Sequence, residues 1–287
     1  MIYILYIDIG RFLRRDIFLI TLLLGRDIAS INRSRDLSMG KLYLEKETRG
    51  SRKASHLYRA LEVLEYVEED LGCDDPHIKD LPESEDEIDI YVSRCGVSEH
   101  ILKEGLRELE EMTGFKIRII RSTGYGSGIK DLYRSIGDLV ERDMLDLLKP
   151  LALETARRGG IEYMAILLKS GSWIILEGER HRVRVPWIEE AIAIAHTHPP
   201  EGCIPSRPDL ESCLELLSSG GIACGVISVK CFFIIQLGFP LSIECYEHLM
   251  RIVNKYEDIL EEVRSAESFV QIFRERCDSL KLTLSPL

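Results

Sequence analysis

Two histidines and an aspartate have a spacing that is typical of metal ligands. In the stretch AIAIAHTHPPEGCIPSRPDL, His196 and His198 are two residues apart, and Asp209 follows eleven residues after His198. Side chains two apart on a β-strand share a face, so a strand here would direct both imidazoles to one ion. The intervening loop is long enough to bring Asp209 to the same ion. These ligands plus a water would give a four-coordinate Zn²⁺ with one exchangeable position, as catalytic sites require.

Each part of this pattern also has an ordinary structural interpretation. A single histidine is usually a core or surface residue, and an H-x-H pattern arises easily by chance among seven histidines. Ser206 and Asp209 form an S-x-x-D pattern that is typical of a helix N-cap, with Pro208 in the first turn. The complete pattern, which also includes Pro199, is much rarer by chance than either part. Capping by Ser206 is compatible with a chemical role.

Strands and helices in the second half of the chain must position these residues. Apolar runs predict a strand over 161–168 and another over 192–198, and the periodicity after the motif predicts a helix over 209–217. Further strands are predicted over 173–177, 182–185, 223–229 and 232–237. Helices are predicted over 148–158 and over 246–280, the latter continuous or broken. In the first half of the chain, the periodicity of apolar residues predicts helices over 54–71, over 97–112 and from near 130. It also predicts strands over 88–92 and 115–120. The remaining composition predicts an acidic linker over 74–89 and a glycine-rich turn over 124–128.

The segment His196-Thr197-His198-Pro199, followed by Ser206 and Asp209, resembles the signature of the JAMM (MPN+) family of zinc metallopeptidases. The resemblance covers about half of the chain, from near residue 148 to near the end. It implies a mixed sheet of JAMM/MPN type flanked by helices. In that fold, a strand with a glutamate precedes the strand with the histidines.

The residue that matches the family's glutamate is Glu162. It lies in the first predicted strand after a helix, among apolar residues. Ala165 stands three residues later, where the family usually has glycine. Four other glutamates are alternative candidates for the same role: Glu177, Glu179, Glu189 and Glu190.

The resemblance implies a zinc-dependent hydrolase that cleaves an isopeptide or peptide bond at the C-terminus of a ubiquitin-like modifier. By position, His196, His198 and Asp209 would hold Zn²⁺, which lowers the pKa of a bound water to about 7 and polarises the scissile carbonyl. Glu162 would accept the proton of that water and pass it to the leaving amine. Ser206 would donate a hydrogen bond to the oxyanion, a contribution of about 3 kcal/mol. The implied partners are conjugates of ubiquitin-like proteins.

Two other functions remain open from the sequence. One is a non-catalytic MPN-type binding module within a larger complex. The other is a zinc amidohydrolase that acts on a small metabolite or on the tail of a sulfur-carrier protein. The tight spacing between the motif elements leaves little room for large inserted loops, which is similar to compact prokaryotic or archaeal members of the family. Together with the scarcity of Asn and Gln, it favours an archaeal, cytoplasmic protein whose substrate is a small modifier attached to protein lysines or the extended precursor of that modifier.

The composition indicates a globular protein and disfavours some classes of partner. Of the 287 residues, 45% are hydrophobic and 30% are charged, and the formal net charge is −11. This acidic balance argues against a nucleic-acid partner held by a basic face. Scarce Asn and Gln beside abundant Ile, Arg and Glu indicate a hyperthermophilic source.

The longest uncharged run near the amino terminus, residues 17–25, is too short for a membrane span of about 20 residues, and no signal peptide is predicted.

The eight cysteines form no C-x-x-C pair, which excludes zinc ribbons, c-type haem attachment and thioredoxin motifs. Most of them have apolar neighbours, so we predict buried free thiols. Disulfides are the alternative, because intracellular proteins of hyperthermophiles are often rich in them.

Together these patterns predict an α/β (α+β) protein with three regions. Residues 1–38 are an amino-terminal extension that is an amphipathic docking segment, a strand and helix of the first domain, or sequence upstream of the functional start. For the last case we hypothesise that the functional chain begins at Met39. Residues 39–145 are predicted to form a smaller α/β domain of unknown role. Residues 148–287 are predicted to form the metallopeptidase domain.

Overall fold

The fold was analysed in a computed structural model, which describes residues 40–79, 87–122, 126–180, 188, 190–200, 202–262 and 265–287. Several predictions fall outside the described residues. These are the amino-terminal extension over 1–38, the start at Met39, the strand over 182–185 and the first part of the glycine-rich turn.

Seven helices and two sheets are formed by the described residues, and the predicted α/β (α+β) class is confirmed. The strands are β1 (Lys41–Glu47), β2 (His77–Ile78), β3 (Glu87–Val92), β4 (Lys116–Arg121), β5 (Ser127–Gly128), β6 (Ile161–Leu168), β7 (Ser172–Arg180), β8 (Ala191–Thr197), β9 (Ala223–Ile227), β10 (Cys231–Leu237) and β11 (Leu280–Pro286). The helices are α1 (Arg49–Glu69), α2 (Glu99–Thr113), α3 (Ile129–Arg157), α4 (Arg207–Ser218), α5 (Ile243–Asn254), α6 (Tyr256–Glu262) and α7 (Ala266–Arg274).

The larger sheet has β8 at its centre. Its strand order is β1-β7-β6-β8-β9-β10-β11. β8 runs antiparallel to β6 and parallel to β9. A strand that is buried on both faces has a nearly continuous apolar sequence, and the first residues of β8, AIAIA, fit this rule. The motif histidines follow directly, so they lie where the central strand leaves the core.

The smaller sheet has the order β4-β3-β2-β5. β3 and β4 are parallel and are joined by α2, so the predicted strand–helix–strand unit is confirmed. Gly114 ends α2 in the left-handed region with φ 73°, which glycine adopts without a steric cost. The acidic segment predicted as a linker over 74–89 contributes β2 and the start of β3, while residues 80–86 lie outside the described part.

The long helix α3 runs continuously through the predicted boundary near residues 145–148. It spans 29 residues and contains Pro150. It packs against α1 and against β6 and β8 of the larger sheet. β1 also joins this sheet by pairing with β7, and residues 39–287 cluster as one compact unit. Neither α3 nor any other helix in the described part has the length and apolar character to cross a membrane.

The prediction of a helix over 246–280 is wrong at the C-terminal end of this range, where the chain forms a strand. Three shorter helices, α5, α6 and α7, occupy most of this region, and β11 begins at Leu280. Leucines alternate with polar residues in β11, and this period of two is the pattern of a strand with one apolar face. β11 pairs antiparallel with β10 and forms one edge of the larger sheet.

All eight cysteines form disulfides, so the prediction of free thiols is wrong. The apolar neighbours on which that prediction relied also surround a buried disulfide, so burial did not distinguish the two states. The pairs are Cys73–Cys95, Cys203–Cys231, Cys213–Cys224 and Cys245–Cys277.

Asp143 is a buried carboxylate that connects α3 to two other parts of the fold. It accepts hydrogen bonds from the hydroxyl of Thr48, which caps α1, and from the indole N–H of Trp173 on β7, the latter at 3.2 Å. Asp143→Ala would leave both donors without this acceptor, and an unsatisfied buried donor costs about 1–3 kcal/mol. We expect urea denaturation to show a free energy of unfolding lower by about 2–4 kcal/mol.

The matched control is Asp146→Ala, which removes an exposed carboxylate from the same helix. Its stability should stay close to that of the unmodified protein. Equal stability of the two variants would contradict the role of Asp143.

Candidate metal centre

His196 and His198 bring their side chains together at the end of β8. The Nε2 atoms of the two rings are 2.9 Å apart, and the ring centroids are 4.8 Å apart. The backbone N–H of His198 donates to the carbonyl of Ile227 at 2.8 Å, which extends the pairing with β9 beyond the end of the strand. The backbone that carries both histidines is therefore held by the central sheet.

Thr197 lies between the histidines and is fully buried. Its Oγ1 accepts a hydrogen bond from the backbone N–H of Tyr163 at 2.8 Å and lies 2.7 Å from Oγ1 of Thr155. These contacts connect β8 to the start of β6 and to the last turns of α3. They fix the backbone next to Glu162 relative to the backbone of the two histidines.

Asp209 is held in the first turn of α4 by a reciprocal capping interaction. Ser206 is the N-cap, and its hydroxyl oxygen accepts the backbone N–H of Asp209. The carboxylate Oδ2 of Asp209 in turn accepts the backbone N–H of Ser206 at 2.7 Å and its hydroxyl at 2.6 Å. The capping predicted from the sequence is confirmed, and the same bonds orient the carboxylate.

The oriented carboxylate faces both histidines. Oδ1 of Asp209 lies 3.2 Å from Nε2 of His196, and Oδ2 lies 3.2 Å from Nε2 of His198. Burial alone would raise the pKa of Asp209, but the hydrogen bonds from His196, His198 and Ser206 outweigh it and hold the pKa well below its usual range. Asp209 is therefore ionised at neutral pH, as a metal ligand must be.

The three side chains fit a metal ion. Each offers one ligand atom, and these atoms all lie within 4.8 Å of one another. Ligand atoms at about 2.0–2.1 Å from a tetrahedral ion are separated by about 3.3 Å. The measured separations of 2.9 Å and 3.2 Å are close to that value. In the part of the chain that the structure describes, this is the only such group of three His, Cys, Asp or Glu residues.

Glu162 lies on β6 beside this group. Met164 is opposite His196, and extending the antiparallel register by two residues places Glu162 opposite His198. Opposite residues in an antiparallel pair share a face of the sheet. Burial raises the pKa of Glu162 to about 7. The charge of His198 lowers this pKa, and the negative charge of Asp209 adds to the increase. A carboxyl group with this pKa can both accept and release a proton near neutral pH.

The alternative glutamates have other surroundings. Glu177 accepts two hydrogen bonds from the guanidinium of Arg158, at 2.7 Å and 3.2 Å, and these bonds lower its pKa. Glu179 and Glu190 are exposed, and Glu189 lies outside the described residues. Glu162 differs from them in lying on β6, on the strand that pairs with β8 and its histidines.

Two disulfides lie near the motif, and the sequence does not indicate their pairing. Cys203, in the loop between His198 and Asp209, is joined to Cys231 at the start of β10. Cys213 on α4 is joined to Cys224 on β9. The loop and the helix that carry Ser206 and Asp209 are therefore cross-linked to β10 and β9, the two strands that follow β8 in the order of the larger sheet. The position of Cys203 inside the motif loop was the one signal in the sequence.

Tyr256 is a further residue near the motif that sequence reasoning missed. Its hydroxyl donates a 2.6 Å hydrogen bond to the carbonyl of Pro205, which directly precedes Ser206. The two residues are 51 positions apart, and nothing in the local pattern around Tyr256 indicates the contact.

The arrangement combines three metal-ligating side chains with a buried carboxyl group that can transfer a proton and a hydroxyl group that can donate a hydrogen bond. Such a set is suited to metal-assisted hydrolysis. Comparison of the chain with protein-family models, curated proteins and solved structures gives no match.

Proposed function

We propose that this protein is a zinc-dependent metallopeptidase of the JAMM (MPN+) type that hydrolyses an isopeptide or peptide bond at the C-terminus of a ubiquitin-like modifier. The observation that carries the proposal is the convergence of His196, His198 and Asp209 beside the buried carboxyl of Glu162. These residues occupy the positions that the family's motif assigns to the zinc ligands and the proton carrier.

Zinc is the metal that this donor set suits best. Two imidazole nitrogens and one carboxylate oxygen are common ligands of catalytic zinc, which typically has three protein ligands. When bound, Zn²⁺ supplies a Lewis acid for the scissile carbonyl and makes a water acidic enough to act as a nucleophile near neutral pH.

Glu162 transfers the proton in this mechanism. Its carboxylate accepts a proton from the attacking water and delivers it to the nitrogen of the leaving amine. The raised pKa suits both steps, because a group with a pKa near the working pH is neither too weak a base nor too weak an acid.

Ser206 stabilises the oxyanion in this mechanism. Its hydroxyl donates to Oδ2 of Asp209 at 2.6 Å, and its backbone N–H donates to the same oxygen at 2.7 Å. The hydroxyl can rotate towards a substrate while the backbone N–H keeps its bond to the carboxylate. Ser206 can therefore donate to the developing oxyanion without leaving Asp209 unsupported.

The proposed substrates are conjugates of a small ubiquitin-like modifier with protein lysines, in the cytoplasm of a hyperthermophilic archaeon. The compact motif and the composition support this choice, and four disulfides agree with such a source. No nucleic-acid partner is proposed, because the net charge is −11.

The shifted pKa of Glu162 favours catalysis over a binding module, since a docking surface gains nothing from a buried carboxyl group with a pKa near 7.

The test measures zinc content and cleavage together. We expect the purified protein to bind one zinc ion and to cleave a modifier joined to lysine through an isopeptide bond. Removal of the metal with a chelator should abolish cleavage, and added Zn²⁺ should restore it. Zinc binding with cleavage of small amides alone would favour the amidohydrolase, and zinc binding without any hydrolysis would favour the binding module.

A further inference from the structure

Tyr256 is a buried hydrogen-bond donor at the start of α6. The residue is 6% exposed, and its hydroxyl donates to the carbonyl oxygen of Pro205 at 2.6 Å. Burial, together with the negative charges of Asp209 and Glu257, raises the pKa of Tyr256 to about 12. The hydroxyl therefore keeps its proton at physiological pH and remains a donor.

The carbonyl of Pro205 and the backbone N–H of Ser206 belong to the same peptide group. This group is planar, so a contact that fixes the direction of the C=O also fixes the direction of the N–H. The N–H of Ser206 donates to Oδ2 of Asp209 at 2.7 Å. A hydrogen bond accepted by the carbonyl also polarises the amide and strengthens the bond that its N–H donates.

We propose that Tyr256 is a positioning residue of the metal centre, which orients the carboxylate of Asp209 through the peptide group between Pro205 and Ser206. The inference rests on the proposed function in that it takes Asp209 to be a zinc ligand. The hydroxyl of Tyr256 bonds to Pro205 rather than to a metal-ligating atom, and it acts by setting the direction of the N–H that holds one of those atoms. Groups that orient metal ligands in this way typically contribute about 10–100-fold to metal affinity.

The experiment compares the zinc dissociation constants of two variants of the full chain, measured by competition with a chromophoric chelator. In Tyr256→Phe the ring is kept and the hydroxyl is lost, and we expect zinc to bind about 10-fold more weakly. The matched control is Tyr58→Phe. Tyr58 is also buried, and its hydroxyl donates to the carbonyl of Gly220 at 2.9 Å, beyond the opposite end of α4 from Ser206. We expect its zinc affinity to equal that of the unmodified protein.

A second readout distinguishes positioning from a general loss of stability. We expect saturating zinc to restore most of the cleavage activity of Tyr256→Phe, because the ligands and Glu162 are intact. If the metal-free variant is partly unfolded, the dependence of its melting temperature on zinc concentration reports the same affinity. Equal zinc affinity in Tyr256→Phe and the unmodified protein would overturn the role of Tyr256 and leave the proposed function standing. Absence of zinc binding by the unmodified protein would overturn both.

Discussion

Glu162→Gln is expected to lower kcat by about 10²–10⁴-fold while zinc stays bound, because an amide of nearly the same shape cannot accept and return a proton. Glu162 is not one of the three ligands, so zinc content should remain at one ion per chain. The measurements are the rate of modifier release and the zinc content of the same sample. Glu179→Gln is the matched control, since it makes the same change at an exposed position on β7. Full activity of Glu162→Gln would assign the proton transfer to another group.

The pH dependence of stability tests the surroundings of Glu162 without any substrate. In the metal-free protein, folding raises the pKa of Glu162 from 4.5 to about 7, so the folded state binds the proton more tightly than the unfolded state. The stability that this proton contributes is complete below pH about 4.5 and is lost as the pH rises through about 7. The unmodified protein should therefore lose stability relative to Glu162→Gln across this window. A constant difference between the two proteins would show that the pKa is not raised.

His196→Ala is expected to lose both zinc and hydrolysis. The variant keeps two of the three ligands, and the cavity left by the ring offers no replacement nitrogen. Turnover should fall to the uncatalysed rate, and zinc should not remain with the protein after gel filtration. His100→Ala, at an exposed position on α2, is the control and should bind zinc and cleave normally. Activity in His196→Ala without bound metal would exclude the metalloenzyme mechanism.

The parts of the site that depend on short-range spacing could be predicted from the sequence. His196 and His198 share a face because a strand repeats every two residues, and Asp209 lies in the first turn of α4 because Ser206 caps that helix. The apolar sequence of β6 gave its bounds, 161–168, without error. In each case the deciding interaction lies within one element or at its end.

The parts that depend on contacts between distant segments could not be predicted. The cysteine pairing joins residues up to 32 positions apart, and eight cysteines allow 105 complete pairings, so spacing alone does not select one. The hydroxyl of Tyr256 bonds to Pro205, which is 51 positions away, so the contact exists only in the folded chain. Apolar periodicity after residue 246 is compatible with one continuous helix, and the packing of the folded chain decides where that helix breaks.

The two cross-links beside the metal centre also affect how an ion enters and leaves. Cys203–Cys231 and Cys213–Cys224 tie the motif loop and α4 to β10 and β9, so this segment has little conformational entropy left to lose when it takes up a ligand. The hydrogen bonds between Asp209 and the two histidines already gather the ligand atoms. We therefore expect the protein to stay folded without its metal and to bind and release zinc reversibly, unlike small zinc domains that unfold when their ion is removed.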